Sequence, residues 1–589
     1  MEAASGTEVR DGMRIDWDVP VRMDDGLVLR ADVYRPVSNG KYPVILALGP
    51  YGKSLHFEDG YPTAWKLMVE AHPDVAAGST NKYQSWELCD PEKWVPDGYA
   101  VVRVDSRGAG RSPGPLDTFT AGEAQDLYTC IEWAGVQPWS NGKVGLNGIS
   151  YYAMNQWRVA ALQPPHLAAM CAWEGAADFY RDANYHGGVP CTLFQNWYDM
   201  QAKVVQHGLG ERGFKSRMDG KWVCGPDTLS DEELLRNQRH LKDIIPQHPL
   251  DDEWHKARSA DLSKVKIPLL SAASWAGQGL HTRGNYEGFT RAASTQKWLA
   301  VHGLEHWTHF YTDYGVQLQK RFFGHFLKGE DTGWDKQPRV QAQIRHPGER
   351  FTLRFENEWP LARTQWTRFY LNPAEKTLDL VRAATTGKAA YQPFDEKLLF
   401  LAPALKSATE IFGPMAARLF VSVATSDADL FLIVRVFDPQ GKEVTFQGTV
   451  DPHTPFAQGW LRASHRKLDP ERSKPWRPYH PHDGIQPLEP GEIVALDIEI
   501  IPSGLVIPPG YRIGLQIQGK DYEWDGAAAE GGGLKMSNFK NALTGCGPFL
   551  HNDPKTRPAE IYNGRVTVHA GGKYESYLLL PIIPERERH

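Results

Sequence analysis

Short apolar runs alternate with a helical pattern over roughly the first 170 residues. The runs end in Gly, Pro or polar residues and occupy positions 41–50, 98–108, 142–150 and 167–175. Between the second and third runs, residues 121–139 carry apolar side chains at about helical spacing. Two further apolar runs, 267–275 and 297–303, resume the pattern. This alternation of strand and helix predicts a parallel sheet covered by helices.

The remaining segments have different patterns. Residues 178–264 are polar, carry several Trp and Tyr, and include a helix-like stretch at 230–245, which predicts a helical insertion over the sheet. Beyond residues 333–341 short alternating strands are separated by Pro and Gly turns, as is typical of a β-sandwich or jelly roll. The glycine-rich stretch 529–539 lacks the strand and helix that flank a phosphate loop, so we interpret it as a sandwich loop.

Composition narrows the functional class. The chain has 589 residues, 41% hydrophobic and 23% charged, with a net charge of −6, which favours several globular units and no nucleic-acid surface. Residues 1–17 lack the apolar core of a signal peptide, and no apolar run approaches the ~20 residues of a membrane span. The six cysteines are widely spaced without a CxxC motif. We expect a cytoplasmic protein with a small-molecule substrate, no metal or cofactor, and no nucleic-acid or membrane partner. A homodimer is compatible with the sequence.

Ser150 is the first candidate for chemistry. It follows Gly148, at the point where the third apolar run passes into a predicted helix beginning near Tyr151. A nucleophilic serine needs such a strand-to-helix turn, because the helix amino terminus stabilises a nearby oxyanion. Tyr152 stands where the usual GxSxG motif has its second glycine. The pattern therefore leaves two interpretations open, a nucleophile or a simple helix cap.

Five segments, in order and spacing, resemble the cocaine esterase and X-prolyl dipeptidyl aminopeptidase superfamily of serine hydrolases: residues 48–54, 103–114, 137–153, 173–182 and 325–334. The resemblance extends over nearly the whole chain. It implies an α/β-hydrolase domain, a helical cap inserted after the sixth strand and a C-terminal jelly roll. On this chain the expected boundaries are 1–177 and 265–335 for the hydrolase domain, 178–264 for the cap and 336–589 for the jelly roll.

The resemblance also implies roles for individual residues. Ser150 is the implied nucleophile, and the Tyr151 N–H and the Tyr51 hydroxyl are the implied oxyanion donors. A phenol can donate to a developing oxyanion without carrying charge itself. The alternative for Tyr51 is an aromatic ring that only packs at a turn.

The general base should follow the last strand of the sheet, where two histidines compete. His302 ends the strand candidate, and His306 lies four residues later, the position that the resemblance favours. Related chains often place an aspartate shortly after the strand that corresponds to the run 267–275, but that position is Gly277 here. Glu174, near the end of the fourth apolar run at 167–175, is the first substitute for the acid. Two weaker candidates are Glu305 and Glu287.

These residues predict a serine-dependent acyl hydrolase that cleaves an ester or amide of a small molecule through an acyl-enzyme. An ester is favoured over an X-prolyl peptide, because no set of acidic residues is evident that would bind a peptide amino terminus. Four aromatic residues are candidates for substrate binding: Trp173, Phe179, Tyr180 and Trp275. The missing aspartate keeps a second hypothesis open, namely a non-hydrolytic enzyme (acyl transfer, cyclisation or elimination) or a binding protein on the same scaffold.

Overall fold

The computed structural model describes residues 6–527 and 543–585. The stretch 529–539, interpreted above as a sandwich loop, lies outside the described residues. The strands of the described chain are β1 (Thr7–Arg10), β2 (Met13–Arg22), β3 (Val28–Pro36), β4 (Tyr42–Gly49), β5 (Ala100–Asp105), β6 (Ser140–Ile149), β7 (Leu167–Trp173), β8 (Tyr185–His186), β9 (Val189–Pro190), β10 (Leu269–Ser274), β11 (Lys297–His302), β12 (Val340–His346), β13 (Arg350–Glu356), β14 (Gln365–Asn372), β15 (Thr377–Asp379), β16 (Gly387–Tyr391), β17 (Leu398–Leu401), β18 (Thr409–Val423), β19 (Asp429–Phe437), β20 (Glu443–Val444), β21 (Ala457–Arg462), β22 (Val494–Ile507), β23 (Arg512–Gln518), β24 (Val566–Ala570) and β25 (Tyr577–Ile583).

The α-helices are short except where they cover the sheet. They are α1 (Phe57–Gly60), α2 (Pro62–Ala71), α3 (Pro91–Trp94), α4 (Ala121–Gly135), α5 (Tyr151–Ala161), α6 (Leu193–Trp197), α7 (Asp231–Arg236), α8 (Leu241–Ile244), α9 (Glu253–Lys256), α10 (His281–Arg291), α11 (Thr308–Tyr311), α12 (Asp313–Phe323) and α13 (Ala559–Tyr562).

The central sheet has the neighbour order β1-β2-β3-β5-β4-β6-β7-β10-β11-β12. Its first strands are antiparallel, whereas all pairs from β5 to β12 are parallel. The six strand candidates of the sequence correspond to β4, β5, β6, β7, β10 and β11. Because parallel strands end at the same edge, the loops that follow β4, β6, β7, β10 and β11 come together there.

Two helices illustrate how the sequence fixes this layer. Helix α4 begins after Thr120, whose side chain accepts a hydrogen bond from the Glu123 N–H, and it buries an apolar face that includes Leu127 and Ile131. Helix α5 is buried over nearly its whole length. It packs against β6 and β7 and so holds its amino terminus rigidly at the carboxyl edge of the sheet.

The insertion between β7 and β10 consists of short helices, turns and the hairpin β8–β9. The helix-like stretch 230–245 forms α7 and α8, separated by four residues. Helix α7 begins with a capping box in which Ser230 and Glu233 exchange hydrogen bonds. No helix in residues 6–527 or 543–585 is long and apolar enough to cross a membrane.

The C-terminal β-strands form a second unit that is continuous with the central sheet. Strand β12 pairs in parallel with β11 and antiparallel with β13, so mixed pairing joins the two units. The longest antiparallel pair, β18 with β22, contains a bulge between Gly413 and Met415. Its inward side chains belong to a core rich in Ile, Leu and Val that is separate from the core of the parallel sheet.

Candidate active site

Ser150 occupies a strained turn between β6 and α5. Its backbone has φ 58° and ψ −112°, a conformation that a residue with a side chain rarely adopts. The turn is held because the Ser150 N–H donates to the Trp173 carbonyl at 3.0 Å and the Ser150 carbonyl accepts from the Met154 N–H at 2.8 Å. The hydroxyl therefore stands at the amino terminus of α5, where the first amides have no partner within the helix.

Two glycines explain how Tyr152 replaces the usual second glycine of the motif. A Cβ at Gly148 would lie 2.6 Å from the Tyr152 Cβ, and one at Gly49 would lie 2.5 Å from the tyrosine ring. Because these two glycines have no side chain, there is room for Tyr152 at the fifth position of the motif. The departure from GxSxG is accommodated without displacing Ser150.

The imidazole nearest to the Ser150 hydroxyl is His281, the first residue of α10. The Ser150 Oγ to His281 Nε2 distance is 3.4 Å, and His281 Nδ1 lies 3.3 Å from the Gly175 carbonyl oxygen. A carbonyl only accepts hydrogen bonds, so it favours the tautomer with the proton on Nδ1. That tautomer leaves the Nε2 lone pair facing the serine, as a general base requires.

His306 stacks on His281 and lies between two carboxylates. The two rings are nearly parallel, with centroids 4.8 Å apart. His306 Nε2 is 2.7 Å from Glu87 Oε1, and His306 Nδ1 is 3.4 Å from Glu174 Oε1. Glu174 Oε2 also lies 3.1 Å from His302 Nε2. The carboxylate predicted as a substitute acid thus contacts both of the histidines that were predicted as competing bases.

Burial shifts the ionisation of these groups. It raises the pKa of Glu87 to about 7, opposed by the hydrogen bond from His306. Burial likewise raises the pKa of Glu174 to about 7, opposed by the hydrogen bond from His302. It also lowers the pKa of His281 well below its ordinary value, and the neighbouring His306 lowers it further. His281 is therefore neutral near pH 7, so its Nε2 lone pair is available to the Ser150 hydroxyl.

Tyr51 packs against Tyr151, which follows Ser150 in the strand-to-helix turn that we call the elbow. A tryptophan orients the Tyr51 hydroxyl. The Trp197 indole N–H donates to the Tyr51 oxygen at 3.1 Å, which leaves the phenol proton free to donate elsewhere. Burial raises the pKa of Tyr51 well above its ordinary value, so the phenol stays protonated. Tyr51 and the start of α5 line the same cavity as Ser150.

That cavity has a volume of about 60 Å³. The central sheet edge contributes Ser150, His281 and His306, the insertion contributes aromatic side chains, and the C-terminal unit closes the remaining side. The wall residues from these last two sources are Leu193, Phe194, Trp197, Gln201, Thr449, Val450, Pro548 and Phe549. The volume is well below the roughly 150 Å³ of an apolar cavity that holds benzene.

The four aromatic residues predicted to bind substrate are buried, and none of them lines this cavity. Trp173 packs on His302 at 4.9 Å between ring centroids, behind the carboxylate. Trp275 donates its indole N–H to the Gln343 carbonyl at the junction with the C-terminal unit. Phe179 packs on Phe119, itself a wall residue, and so forms a layer behind the wall. The Tyr180 hydroxyl donates to the Pro249 carbonyl within the insertion.

Sequence reasoning missed His281 and Glu87. His281 lies four residues after Gly277, the position at which related chains often carry an aspartate. A Cβ at Gly277 would lie 3.0 Å from the His281 Cβ, so an aspartate there would crowd this imidazole. Glu87 lies in the loop after β4 without any motif, and its backbone φ is 65°. Its carbonyl accepts the Ile149 N–H, which ties it to the elbow.

Comparison with known proteins agrees with this architecture. Residues 25–311 match the X-Pro dipeptidyl-peptidase (S15 family), and residues 332–579 match the X-Pro dipeptidyl-peptidase C-terminal non-catalytic domain. The crystal structure of a CocE/NonD family hydrolase from Staphylococcus aureus is 32% identical, covers 99% of this chain and 97% of its own, and superimposes with a TM-score of 0.83. The chain belongs to the CocE/NonD family of hydrolases. The resemblance predicted from the sequence is thereby confirmed.

Relatives of this CocE/NonD hydrolase include a cocaine esterase from Rhodococcus, 24% identical over 96% of this chain and 98% of the relative. The structure of an α-amino acid ester hydrolase shares the fold, with 15% identity, 98% coverage of both chains and a TM-score of 0.64. The family match and these relatives identify the chain as a serine hydrolase. The C-terminal β unit corresponds to the family's non-catalytic domain.

Proposed function

We propose that this hydrolase cleaves an ester of a small acyl group through an acyl-enzyme on Ser150. The observation that carries the proposal is the elbow itself, where a strained serine at a helix amino terminus lies 3.4 Å from an imidazole nitrogen. A distance at the long end of hydrogen bonding suits a site without substrate, because such contacts tighten when substrate binds.

In the proposed mechanism His281 Nε2 removes the Ser150 proton as Oγ attacks the ester carbonyl carbon. The Tyr51 hydroxyl and the Tyr151 N–H stabilise the oxyanion. The protonated His281 then gives its proton to the leaving alcohol, and the same imidazole activates water for deacylation. The Gly175 carbonyl holds the tautomer, a task that an aspartate performs in the usual triad.

His306 is proposed to act through His281 rather than on substrate in this arrangement. Its ring lies between Glu87 and Glu174, and it stacks on the face of His281. Above their raised pKa values of about 7, the two carboxylates place negative charge near the imidazolium that forms on His281. The assignment of His306 as the base, which the resemblance favours, remains the alternative and requires the ring to turn away from Glu87.

The cavity supports the choice of substrate class. A volume of about 60 Å³ suits an acyl group such as acetyl better than an aromatic one. The insertion over residues 178–264 is proposed to serve as a cap. The β unit over 336–589 is proposed to be of jelly-roll type, with the hydrolase domain comprising 1–177 and 265–335. The six cysteines are buried and unpaired, which supports a reducing, cytoplasmic location.

Active-site labelling tests the nucleophile. A fluorophosphonate should add once to the native protein, and the adduct should map to the peptide that contains Ser150. Ser150→Ala should remove both the adduct and ester turnover, whereas Ser54→Ala, a buried serine outside the cavity wall, should keep both. An adduct that persists in Ser150→Ala would exclude Ser150 as the nucleophile.

A further inference from the structure

A second group of reactive side chains lies between the insertion and the C-terminal unit. His186 ends β8, Cys191 directly follows β9, and His551 belongs to the segment after the undescribed residues. All three side chains are buried, and one ligand atom from each, two imidazole nitrogens and the thiol sulfur, lies within 4.8 Å of the other two. Sequence spacing could not reveal the group, because His551 is 360 residues from Cys191.

Hydrogen bonds point a nitrogen of each imidazole into this group. His551 Nδ1 lies 2.7 Å from Asp521 Oδ1, and His186 Nε2 lies 3.3 Å from the Asp182 carbonyl oxygen. Both acceptors favour a proton on the nitrogen that faces them. Neutral imidazoles then direct the lone pairs of His186 Nδ1 and His551 Nε2 toward each other across 2.8 Å. A cation bound by both lone pairs would remove the repulsion between them.

The backbone around the three residues is held in place independently. The Thr192 N–H donates to the Leu550 carbonyl at 2.8 Å, which joins the hairpin to the C-terminal segment. The Cys191 N–H donates to the Asn184 carbonyl at 2.8 Å. Asp521 also accepts the His551 N–H at 2.7 Å. Backbone contacts thus already position Cys191 and His551, and the pairing of His186 with Val189 in the β8–β9 hairpin positions the third residue.

We propose that His186, Cys191 and His551 bind a zinc ion that joins the insertion to the C-terminal unit. Imidazole nitrogen and thiolate sulfur are both common zinc ligands, and a carboxylate behind a histidine is a common orienting partner for zinc ligands. Tetrahedral bonds of about 2.0–2.3 Å would separate the two nitrogens by about half an ångström more than at present. Binding requires Cys191 to lose its proton.

Water supplies the fourth ligand in this proposal. A second cavity of about 350 Å³, lined by His551, Asp521 and Asn552 among other residues, lies beside the cluster and has room for that water, while the His551 side chain is itself buried. The three zinc ligands are not among the residues that line the Ser150 cavity. The proposed metal therefore lies outside the Ser150 cavity and does not take part in ester cleavage there.

The cluster lies close in sequence to two segments of the active-site wall, so a bound metal would affect substrate binding. Cys191 is followed by α6, which supplies Phe194 and Trp197 to the active-site wall, and His551 follows Phe549 of the same wall. A zinc ion would fix these two walls relative to each other. Its removal should raise KM for esters more than it lowers kcat.

Cobalt provides the direct test, because a Co²⁺ ion bound by a thiolate gives a charge-transfer band in the near ultraviolet. The full chain, stripped with a chelator under reducing conditions, should bind about one Co²⁺ and develop this band. Zn²⁺ should displace the cobalt and abolish the band. Elemental analysis of protein grown with zinc should give about one zinc per chain.

Two variants locate the site. Cys191→Ala should lose the band and the bound metal, whereas Cys171→Ala, which removes another buried thiol within β7, should keep both. His551→Gln serves as the second variant if Cys191→Ala fails to fold, and it should weaken cobalt binding at least tenfold. A native chain that binds no Co²⁺, or a band that survives in both Cys191→Ala and His551→Gln, would overturn the proposal. The cluster would then be a hydrogen-bonded histidine pair beside a free thiol.

Discussion

The Tyr51 hydroxyl has a defined direction because Trp197 occupies one of its lone pairs. Tyr51→Phe keeps the ring and removes the donor, so turnover of an activated ester should fall about 10²- to 10³-fold with little change in KM. Steady-state kinetics would show this. Tyr198→Phe is the matched control, since its hydroxyl donates to the Leu116 carbonyl outside the cavity wall. A Tyr51→Phe enzyme as fast as the parent would mean that Tyr51 only packs.

Backbone strain marks several residues of the same site. Ser150, Glu87, Glu174 and Leu304 all have positive φ, although none is glycine. Such conformations cost about 1–3 kcal/mol each and persist where the surroundings impose them. Leu304 lies in the loop that carries His306, and Glu174 directly follows β7. The strained positions therefore surround the two stacked histidines.

At the scale of elements, the catalytic loops are braced by the C-terminal unit. The His306 N–H donates to the Thr449 carbonyl, and the Gln278 amide donates to the Pro455 carbonyl. The segments after β10 and β11, which lead to His281 and His306, thus contact a domain that supplies no proposed catalytic group. This contact gives the non-catalytic domain a positioning role.

The aromatic wall from α6 sets the size of the acyl group. Phe194→Ala enlarges the cavity, so the ratio of kcat/KM for an aryl benzoate to that for the corresponding acetate should rise at least tenfold. The parent should prefer the acetate. Phe437→Ala, in the C-terminal strand β19, is the control and should leave the ratio unchanged. A parent enzyme that prefers the benzoate would show that the walls open on binding.

Some of these elements were predictable from the sequence and others were not. Strands β4 to β7, β10 and β11 are continuous apolar runs because both faces of the parallel sheet are covered, and such runs are readable. Strands β1 to β3 escaped prediction because β2 and β3 include polar and charged residues that pair across the edge of the sheet, such as Asp16 with Arg35. The elbow was predictable from local sequence. The roles of His281 and Glu87 depend on contacts 131 and 219 residues apart in the chain, which local patterns do not encode.

At the scale of the whole molecule, the buried carboxylates couple stability to pH. The ordinary pKa of glutamate is 4.5, and burial raises that of Glu174 to about 7. Between these values the native state binds more protons than the unfolded state, so this group makes stability fall as pH rises from about 4.5 to 7. Glu174→Gln removes the effect, and the drop in Tm from pH 5 to pH 7.5 should be smaller than in the parent.

Thermal unfolding at the two pH values measures this difference. Glu443→Gln is the control, because this glutamate pairs with Arg435 in the C-terminal unit, away from the active site. An identical pH dependence in the parent and in Glu174→Gln would show that Glu174 is ionised throughout this range.

The identity of the general base is the central claim, and single-turnover acylation tests it most directly. The rate at which an activated ester acylates Ser150 should be measured in His281→Gln and His306→Gln, with circular dichroism to establish that both variants fold. Loss of the base slows acylation about 10²- to 10⁴-fold, and we expect this loss in His281→Gln. His306→Gln should be at least tenfold faster than His281→Gln. The reverse order would contradict the account and assign the proton transfer to His306.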